Sequence, residues 1–499
     1  MGHGRITGRI ADRCAGVLVG SAVGDSLGAG YEFGPSLAPG SPVEMRGQGA
    51  FAPGEWTDDT AQMVAVASAI ADGHDLTKDD GQEAVAENLL EWYYSPAREK
   101  DIGIHTGAVM HQVATVSGPG LADRFRDMAK RKEEQQPNSS GGNGALMRTA
   151  PIAVAYLDDP HALVVAAQHT ALLTHDDDAS ANACAVWCLA IREAILTEEF
   201  ASLETFHDRV REAITTNLPD QADRWIDILD AAFGADPRSY RTGNGYSVTA
   251  VQAAWAAITS TSIPVLAGGH FADALAEAVR GGGDADTVAC IAGGLLGAMW
   301  GVSAIPADWQ RRIFGWPTMS DRELIALAEA ITGNRPEGNA WPHGRTQSYD
   351  GWGGTDAVAI HPHDDGVVLA GVDVAYGRIE SPIRIDAVVS LCRIGTDDLA
   401  HFGLPQASTV EVRLIDQVGA NPHTELTAVD AAATVAQLRG EGKNVLLHCV
   451  AAQSRTPTVA ALYARNHRGI PADRALNDVI AALPAADPNS EFRSIVVHP

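Results

Sequence analysis

Basic residues are scarce in this chain: 36 Lys and Arg stand against 63 Asp and Glu, a formal net charge of −27. A protein that binds phosphate backbones in general collects Lys and Arg on one face, so this balance argues against a general nucleic-acid binder. It suits a soluble protein that accepts divalent cations. Cysteine is also sparse. The six (Cys14, Cys184, Cys188, Cys290, Cys392 and Cys449) sit in apolar or motif settings without the spacing of a disulfide framework, which predicts a reducing, cytoplasmic setting. Cys184 and Cys188, four apart in an Ala-rich helical stretch, read as one packed helix face rather than a metal pair. The first thirteen residues lack the apolar core of a secretory signal. Long apolar runs are rare too. Residues 288–305 carry no charge, but their glycines (Gly293, Gly294, Gly297, Gly301) predict a buried central helix with close neighbours rather than a membrane span. No internal repeat is visible.

Strand signals are nearly missing from residues 10 to about 335, where Ala-rich amphipathic segments recur at 59–71, 82–94, 161–173, 179–196, 249–259 and 273–279. This predicts an all-α domain over 1–338. Two Pro-, Gly- and charge-rich stretches, 36–53 and 131–144, read as loops at the rim of a cleft. Residues 339–356, rich in Trp, Gly and polar side chains, read as a linker. Beyond it, over 357–499, β-branched runs (366–374, 385–391, 409–415, 444–448) alternate with helical stretches (427–438, 456–466, 471–482), the pattern of an α/β layer domain.

The chemistry concentrates in acidic motifs. Gly20 to Gly28 contains Gly24-Asp25 and is followed by Glu32. Trp56-Thr57-Asp58-Asp59-Thr60 opens one helix, and Gly281-Gly282-Gly283-Asp284-Ala285-Asp286-Thr287 opens another. Magnesium takes oxygen ligands in octahedral order, and each helix start supplies a hydroxyl and two carboxylates within four residues. Two such clusters facing each other can hold two ions and serve metal-assisted hydrolysis. Alone, either motif is as readily an N-cap, since Asp and Thr accept from free helix N–H groups.

Taken together, the Gly24-Asp25 motif, Glu32, Trp56 to Thr60, Asn143 to Pro151, His175 and Gly282 to Thr287 resemble the ADP-ribosylglycohydrolase family, in the family's order, over about residues 10–335. The resemblance implies Thr57, Asp58, Asp59, Asp284, Asp286 and Thr287 as ligands of two Mg²⁺ ions, with Mn²⁺ as an alternative. It implies Gly24 and Asp25 against the distal ribose or the metals, and Glu32 as a mobile acidic gate. Asn143, Gly144 and Met147 fall in the diphosphate-binding loop, where Arg148 either reaches the phosphate or structures the loop. His175 falls near the ligand, with a structural role as the alternative. The implied reaction is hydrolysis of the bond between ribose C1″ and an acceptor, with Asp59 or Asp286 orienting or deprotonating water. The expected substrates are ADP-ribosylated proteins or small molecules.

A second signature lies in the C-terminal part. Val445 to His448 reads as a strand, Cys449 follows, and Arg455-Thr456 opens a helix, so that 450–455 forms a loop whose N–H groups can hold a phosphate. A thiolate there gains from the helix N-terminus and from Arg455, and Arg455 can grip two phosphate oxygens. Thr456 can protonate or position the sulfur. This resembles the cysteine-dependent dual-specificity phosphatases over about 355–499, which implies Asp416 as general acid and a phosphorylated substrate. Ala452 stands where that family has Gly, and its methyl group is expected to strain or narrow the cradle. Two alternatives stay open: a non-catalytic phosphate-binding module beside an active hydrolase, or an inactive ADP-ribose binder.

Overall fold

The computed structural model describes residues 7–116, 120–333 and 346–497. Residues 339–345, the first part of the expected linker, and Met1 to Ile6 lie outside the described residues. Two compact units share the chain: residues up to 305 together with 313–335, and residues 306–312 together with those from 336 onward.

In the first unit the helices run α1 (Gly8–Gly28), α2 (Asp58–Ala71), α3 (Asp79–Tyr94), α4 (Ile104–Ala114), α5 (Leu121–Gln135), α6 (Ala150–Ala155), α7 (Pro160–Leu172), α8 (Asp178–Leu196), α9 (Leu203–Asn217), α10 (Ala222–Ala232), α11 (Ser247–Ser260), α12 (His270–Gly281) and α13 (Ala285–Trp300), with α14 (Asp321–Thr332) closing the unit. Among the described residues its strands are only the two-residue pair β1 (Phe314–Gly315) and β2 (Met319–Ser320). The six segments with apolar periodicity are all helical. The 131–144 loop begins later than expected, because α5 continues through Gln135 on a stripe of buried Leu121, Phe125 and Met128.

Helix α13 is buried along its whole length, as its uncharged sequence predicts for a central helix. Its neighbour α1 approaches to backbone contact. A Cβ placed on Gly16 would lie 2.3 Å from Gly297 O, one on Gly20 2.3 Å from Gly293 O, and one on Gly24 2.0 Å from Ala289 O. Glycine every fourth residue lines one face of α1, and only hydrogen fits there. This crossing carries the C-terminal end of α1 to the N-terminal end of α13: a Cβ on Gly28 would meet Asp286 Cα at 2.4 Å. Helix α8 is long and apolar enough by composition to cross a membrane, yet 78% of that window is buried inside the unit.

The second unit holds a five-stranded sheet in the order β3-β4-β7-β5-β6, from β3 (Val358–His361), β4 (Asp364–Ala370), β5 (Ala387–Ser390), β6 (Thr409–Glu411) and β7 (Val445–His448). β3 pairs antiparallel with β4, and the other pairings are parallel. Alternate residues face opposite sides. Val367, Leu369, Val445 and Leu447 join α15 (Thr424–Gly440) and α16 (Arg455–Arg468) in one apolar cluster; Val368, Ala370, Val388 and Leu446 join a second. Burial on both faces explains why the parallel strands read as continuous apolar runs. Tyr349, from the stretch expected to be a linker, is buried in the second cluster.

Candidate functional site

In the first unit, three helix ends bring the acidic motifs together. Asp25, fully buried near the end of α1, accepts from Thr57 N at 3.0 and 3.1 Å, from Thr60 N at 3.0 Å and from Thr60 Oγ1 at 2.6 Å. It therefore satisfies orphan donors at the start of α2. Both of its oxygens take protein donors from α2, and its charge still reaches Glu32, Asp58, Asp59 and Asp286. Gly24 lies against Ala289 in the helix crossing.

Thr57 caps α2, and its hydroxyl donates to Asp59 Oδ2 at 3.0 Å. Asp59 Oδ1 is buried without a hydrogen-bond partner. Asp58 Oδ2 accepts from Gln62 Nε2 at 3.0 Å and lies 3.4 Å from Gly103 N. Asp284 stands at the N-cap of α13 but makes no side-chain cap bond; Asn143 Nδ2 donates to its Oδ2 at 2.7 Å. Asp286 Oδ1 accepts from Thr287 N at 2.9 Å.

Glu32 arrives through a local tie. Phe33 takes a positive φ of 55°, its N–H donates to Gly283 O at 2.6 Å, and Gly34 bridges Gly283. Oxygens of Glu32, Asp101 and Asp286 then lie within 4.8 Å of one another. Asp101 carried no motif in the sequence; its position before α4 is fixed only by the fold.

Burial and mutual repulsion dominate this cluster. Burial, then Asp101, Asp284 and Asp25, push Glu32 up to about 8. Burial pushes Asp25 up to about 6. Asp58, Asp59 and Asp286 are raised well above the carboxylate range, by burial first and neighbouring carboxylates next. An orphaned buried oxygen amid crowded oxygen donors fits a hard cation, which would neutralise the repulsion.

The stretch 143–148 is a 3₁₀ turn rather than an open loop, and all of it except Gly144 is buried. Met147, within the expected diphosphate loop, turns its side chain into the core. Arg148 is fully buried and turned inward: its Nη1 donates to Gln62 Oε1 at 2.8 Å and its Nη2 to Thr174 Oγ1 at 2.6 Å. It structures the loop and does not reach outward. A Cβ on Gly144 would lie 3.4 Å from His175 Nε2, which places that histidine directly beneath the turn. Asn244, which sequence reasoning missed, receives Asp284 N at Oδ1 and donates to Gly282 O.

In the second unit, β7 ends at His448, whose Nε2 lies 2.7 Å from Ser390 Oγ, and burial lowers this imidazole to about 4. Cys449 is buried. Arg455 Nη1 donates to Leu391 O and Leu414 O at 2.8 Å each, and its Nε lies 3.8 Å from Asp416 Oδ2. Asp416 also accepts from Ser454 Oγ at 2.6 Å and Asn489 Nδ2 at 3.1 Å, so the expected general acid does lie against the loop. Thr456 Oγ1 is buried without a partner. Ala452 takes φ 52°, a left-handed conformation that strains a residue with a Cβ. Its methyl joins the apolar cluster beneath the sheet, so the expected strain is present without narrowing of the cradle. A cavity of about 210 Å³ opens beside Arg455, lined by Tyr349, Trp352, Arg393, Asp416 and Val450 among others.

The features of the first unit meet in one family. Residues 7–340 match the ADP-ribosylglycohydrolase family, and the chain belongs to it. The ADP-ribosylhydrolase ARH3 of Danio rerio is 27% identical over 329 residues, covering 60% of this chain and 84% of that protein. The ADP-ribosylarginine hydrolase Tri1 of Pseudomonas putida is 28% identical over 297 residues, covering 59% of this chain and 71% of that protein. A solved structure described as an ADP-ribosylglycohydrolase-related protein complex aligns with a TM-score of 0.50 and 29% identity, covering 65% of this chain and 98% of that one. The chain is a hydrolase of ADP-ribosylated substrates.

Proposed function

We propose that the first unit hydrolyses the C1″ glycosidic bond of an ADP-ribosylated protein or small molecule with two Mg²⁺ ions, Mn²⁺ substituting. The observation that carries this is the convergence of Asp58, Asp59, Asp284, Asp286, Glu32 and Asp101, with Asp59 Oδ1 buried and unpartnered. Thr57, Asp58, Asp59, Asp284, Asp286 and Thr287 would hold the ions, with Asp101 as an added neighbour. When bound, such ions chelate ribose hydroxyls and lower the pKa of a water. Asp59 or Asp286 takes a proton from the attacking water, whose oxygen bonds to C1″ as the acceptor leaves with a proton. The remaining carboxylates stabilise positive charge developing on the ribose. Glu32, half-buried and hydrogen-bonded from Gln48 at 3.4 Å, gates the cluster. The likeness to an ADP-ribosylarginine hydrolase supports an arginine linkage as the first to test. The six free, buried cysteines support work in the reducing cytoplasm. The deciding experiment incubates the protein with arginine-, serine- and ester-linked ADP-ribose, with and without EDTA. Metal-dependent release from one linkage supports the reading, and release insensitive to EDTA overturns it.

A second reading concerns the other unit, where Arg455 and Asp416 flank the loop after Cys449. It serves as a Cys-dependent phosphatase acting on a phosphorylated substrate, with Asp416 protonating the leaving oxygen. Turnover of an aryl phosphate by the full chain, abolished in Cys449→Ser, supports this. Absence of wild-type turnover leaves a phosphate-binding module instead.

A further inference from the structure

Arg148 is an arginine with no exposed surface, and it touches none of the carboxylates of the cluster by hydrogen bond. It lies between two hydrogen-bond chains. One runs through Gln62 to Asp58, and the other through Thr174 to His175.

A guanidinium has only donors. Gln62 Oε1, 2.8 Å from Arg148 Nη1, must therefore accept, which turns the Gln62 amide nitrogen toward Asp58 Oδ2 at 3.0 Å. The same logic applies to the other arm. Thr174 Oγ1 accepts from Arg148 Nη2 at 2.6 Å, so its own hydrogen is free to point elsewhere. His175 Nδ1 lies 2.7 Å from that oxygen. That oxygen has a second lone pair and could also accept from Nδ1, but among the described residues its hydrogen has no other acceptor, so donation to a bare Nδ1 satisfies the buried hydroxyl and leaves the ring proton on Nε2. Burial and the neighbouring His105 and Arg148 hold the imidazole in its neutral form.

His175 Nε2 is where a ligand would meet the ring. His175 is 1% exposed, and among the described residues its Nε2 has no hydrogen-bond partner. It lies beneath the 143–148 turn, 3.6 Å from a Cβ placed on Gly142 and 3.4 Å from one on Gly144. An unpaired N–H in such a place is costly unless an acceptor arrives.

We infer that Arg148 and Thr174 are positioning residues that fix His175 as the Nε2–H tautomer, so that it presents a neutral donor to an anionic oxygen of the ligand at the Gly142–Gly144 turn. The identity of that ligand as an ADP-ribosyl group rests on the function proposed above; the tautomer does not.

The test therefore reads both separately, on the full chain. Long-range ¹H–¹⁵N correlation of the His175 ring, identified by its loss in His175→Gln, should show a protonated Nε2 and a bare Nδ1 in the wild type. Thr174→Val removes the hydroxyl with little change of shape and should shift the ring toward the other tautomer or a mixture. Thr174→Ser should restore the wild-type pattern. ADP-ribose affinity, measured calorimetrically with Mg²⁺, should fall about ten-fold in Thr174→Val, the loss of roughly one hydrogen bond to a charged group, and recover in Thr174→Ser. A wild-type ring protonated on Nδ1 overturns the inference whether or not the variants fold. So does a Thr174→Val ring that keeps the wild-type pattern. Failure of the wild type to bind ADP-ribose, with the tautomer as expected, counts against the ligand and leaves the relay standing.

Discussion

Gly24 and Ala289 meet backbone to backbone: a Cβ on Gly24 would stand 2.0 Å from the Ala289 carbonyl oxygen. One residue beyond Gly24, Asp25 holds the start of α2, and three residues before Ala289, Asp286 enters the acidic cluster. The distance between the two helices thus sets the distance between carboxylates. Gly24→Ala should force α1 and α13 apart and lower the unfolding free energy by about 1–3 kcal/mol. Because the shift moves Asp25 and Asp286, metal-dependent turnover should fall further than stability alone explains. Denaturant melts beside activity at a temperature where the variant is fully folded check this.

Much of this arrangement was legible in the sequence. An uncharged helix with its own glycines announced a buried centre with close neighbours, and two Thr/Asp helix starts announced an acidic site. The direction in which each side chain points was not legible. Asp25 and Arg148 belong to the motifs, yet each spends its hydrogen bonds on protein partners distant in sequence: Thr57 and Thr60 for one, Gln62 and Thr174 for the other. Asp101 and Asn244 have no local signature because only the fold brings them to Asp286 and Asp284. In the second unit, β3 was missed because it is mostly solvent-facing, with only His361 buried, while the buried parallel strands stood out as apolar runs.

The acidic cluster should make stability depend on metal and pH together. Glu32 at about 8 and Asp25 at about 6 are raised above their unfolded values. Groups raised in this way hold more protons folded than unfolded, so without metal their contribution is full below about pH 4 and is lost as pH climbs through 6 to 8. Metal replaces those protons and restores the loss. Mg²⁺ at a hundred times its Kd should add about 2.7 kcal/mol, and EDTA should lower Tm more at pH 8 than at pH 6. Thermal melts over this range, with and without EDTA, decide the matter.

Asp101 offers a sharper test of the cluster's composition, because it was found by geometry alone. Its carboxylate lies within 4.8 Å of those of Glu32 and Asp286, and Asp101 also raises Asp58 and Glu32. Asp101→Asn should weaken metal binding by about ten- to hundred-fold, in the range for groups supporting a metal site. Metal titration followed by calorimetry gives this directly. The same variant should bring Glu32 down toward the ordinary carboxylate range, visible in the pH dependence of the metal-free melt.

Asp430 in the second unit poses an independent pH test. It is half-buried, accepts from Ala307 N at 2.7 Å, and desolvation first, then Asp308, pushes it up to about 7. Its ionised form is penalised in the fold, so its contribution is full below about pH 4 and disappears as pH rises through 7. Asp430→Asn keeps an oxygen to accept from Ala307 and has no charge to bury. The second unit of that variant should lose less stability than wild type between pH 5 and pH 8. Unfolding of the two units is to be followed separately, through the Trp352 signal for this one.

Ala452 sets strain against packing. Its φ of 52° costs about 1–2 kcal/mol for a residue with a Cβ. Replacement by Gly removes that strain but loses a buried methyl, about 0.8 kcal/mol, and adds backbone entropy to the unfolded chain, about 0.5–1 kcal/mol. These nearly cancel, so Ala452→Gly should change unfolding free energy by less than about 1 kcal/mol. The methyl lies in the apolar cluster beneath the sheet rather than in the cradle. Affinity of the full chain for tungstate or inorganic phosphate should therefore stay within about two-fold, since no hydrogen bond worth about 1 kcal/mol is gained or lost at the 450–455 loop. A large gain in oxyanion affinity would show that the methyl, and not the backbone it sits on, limits the site.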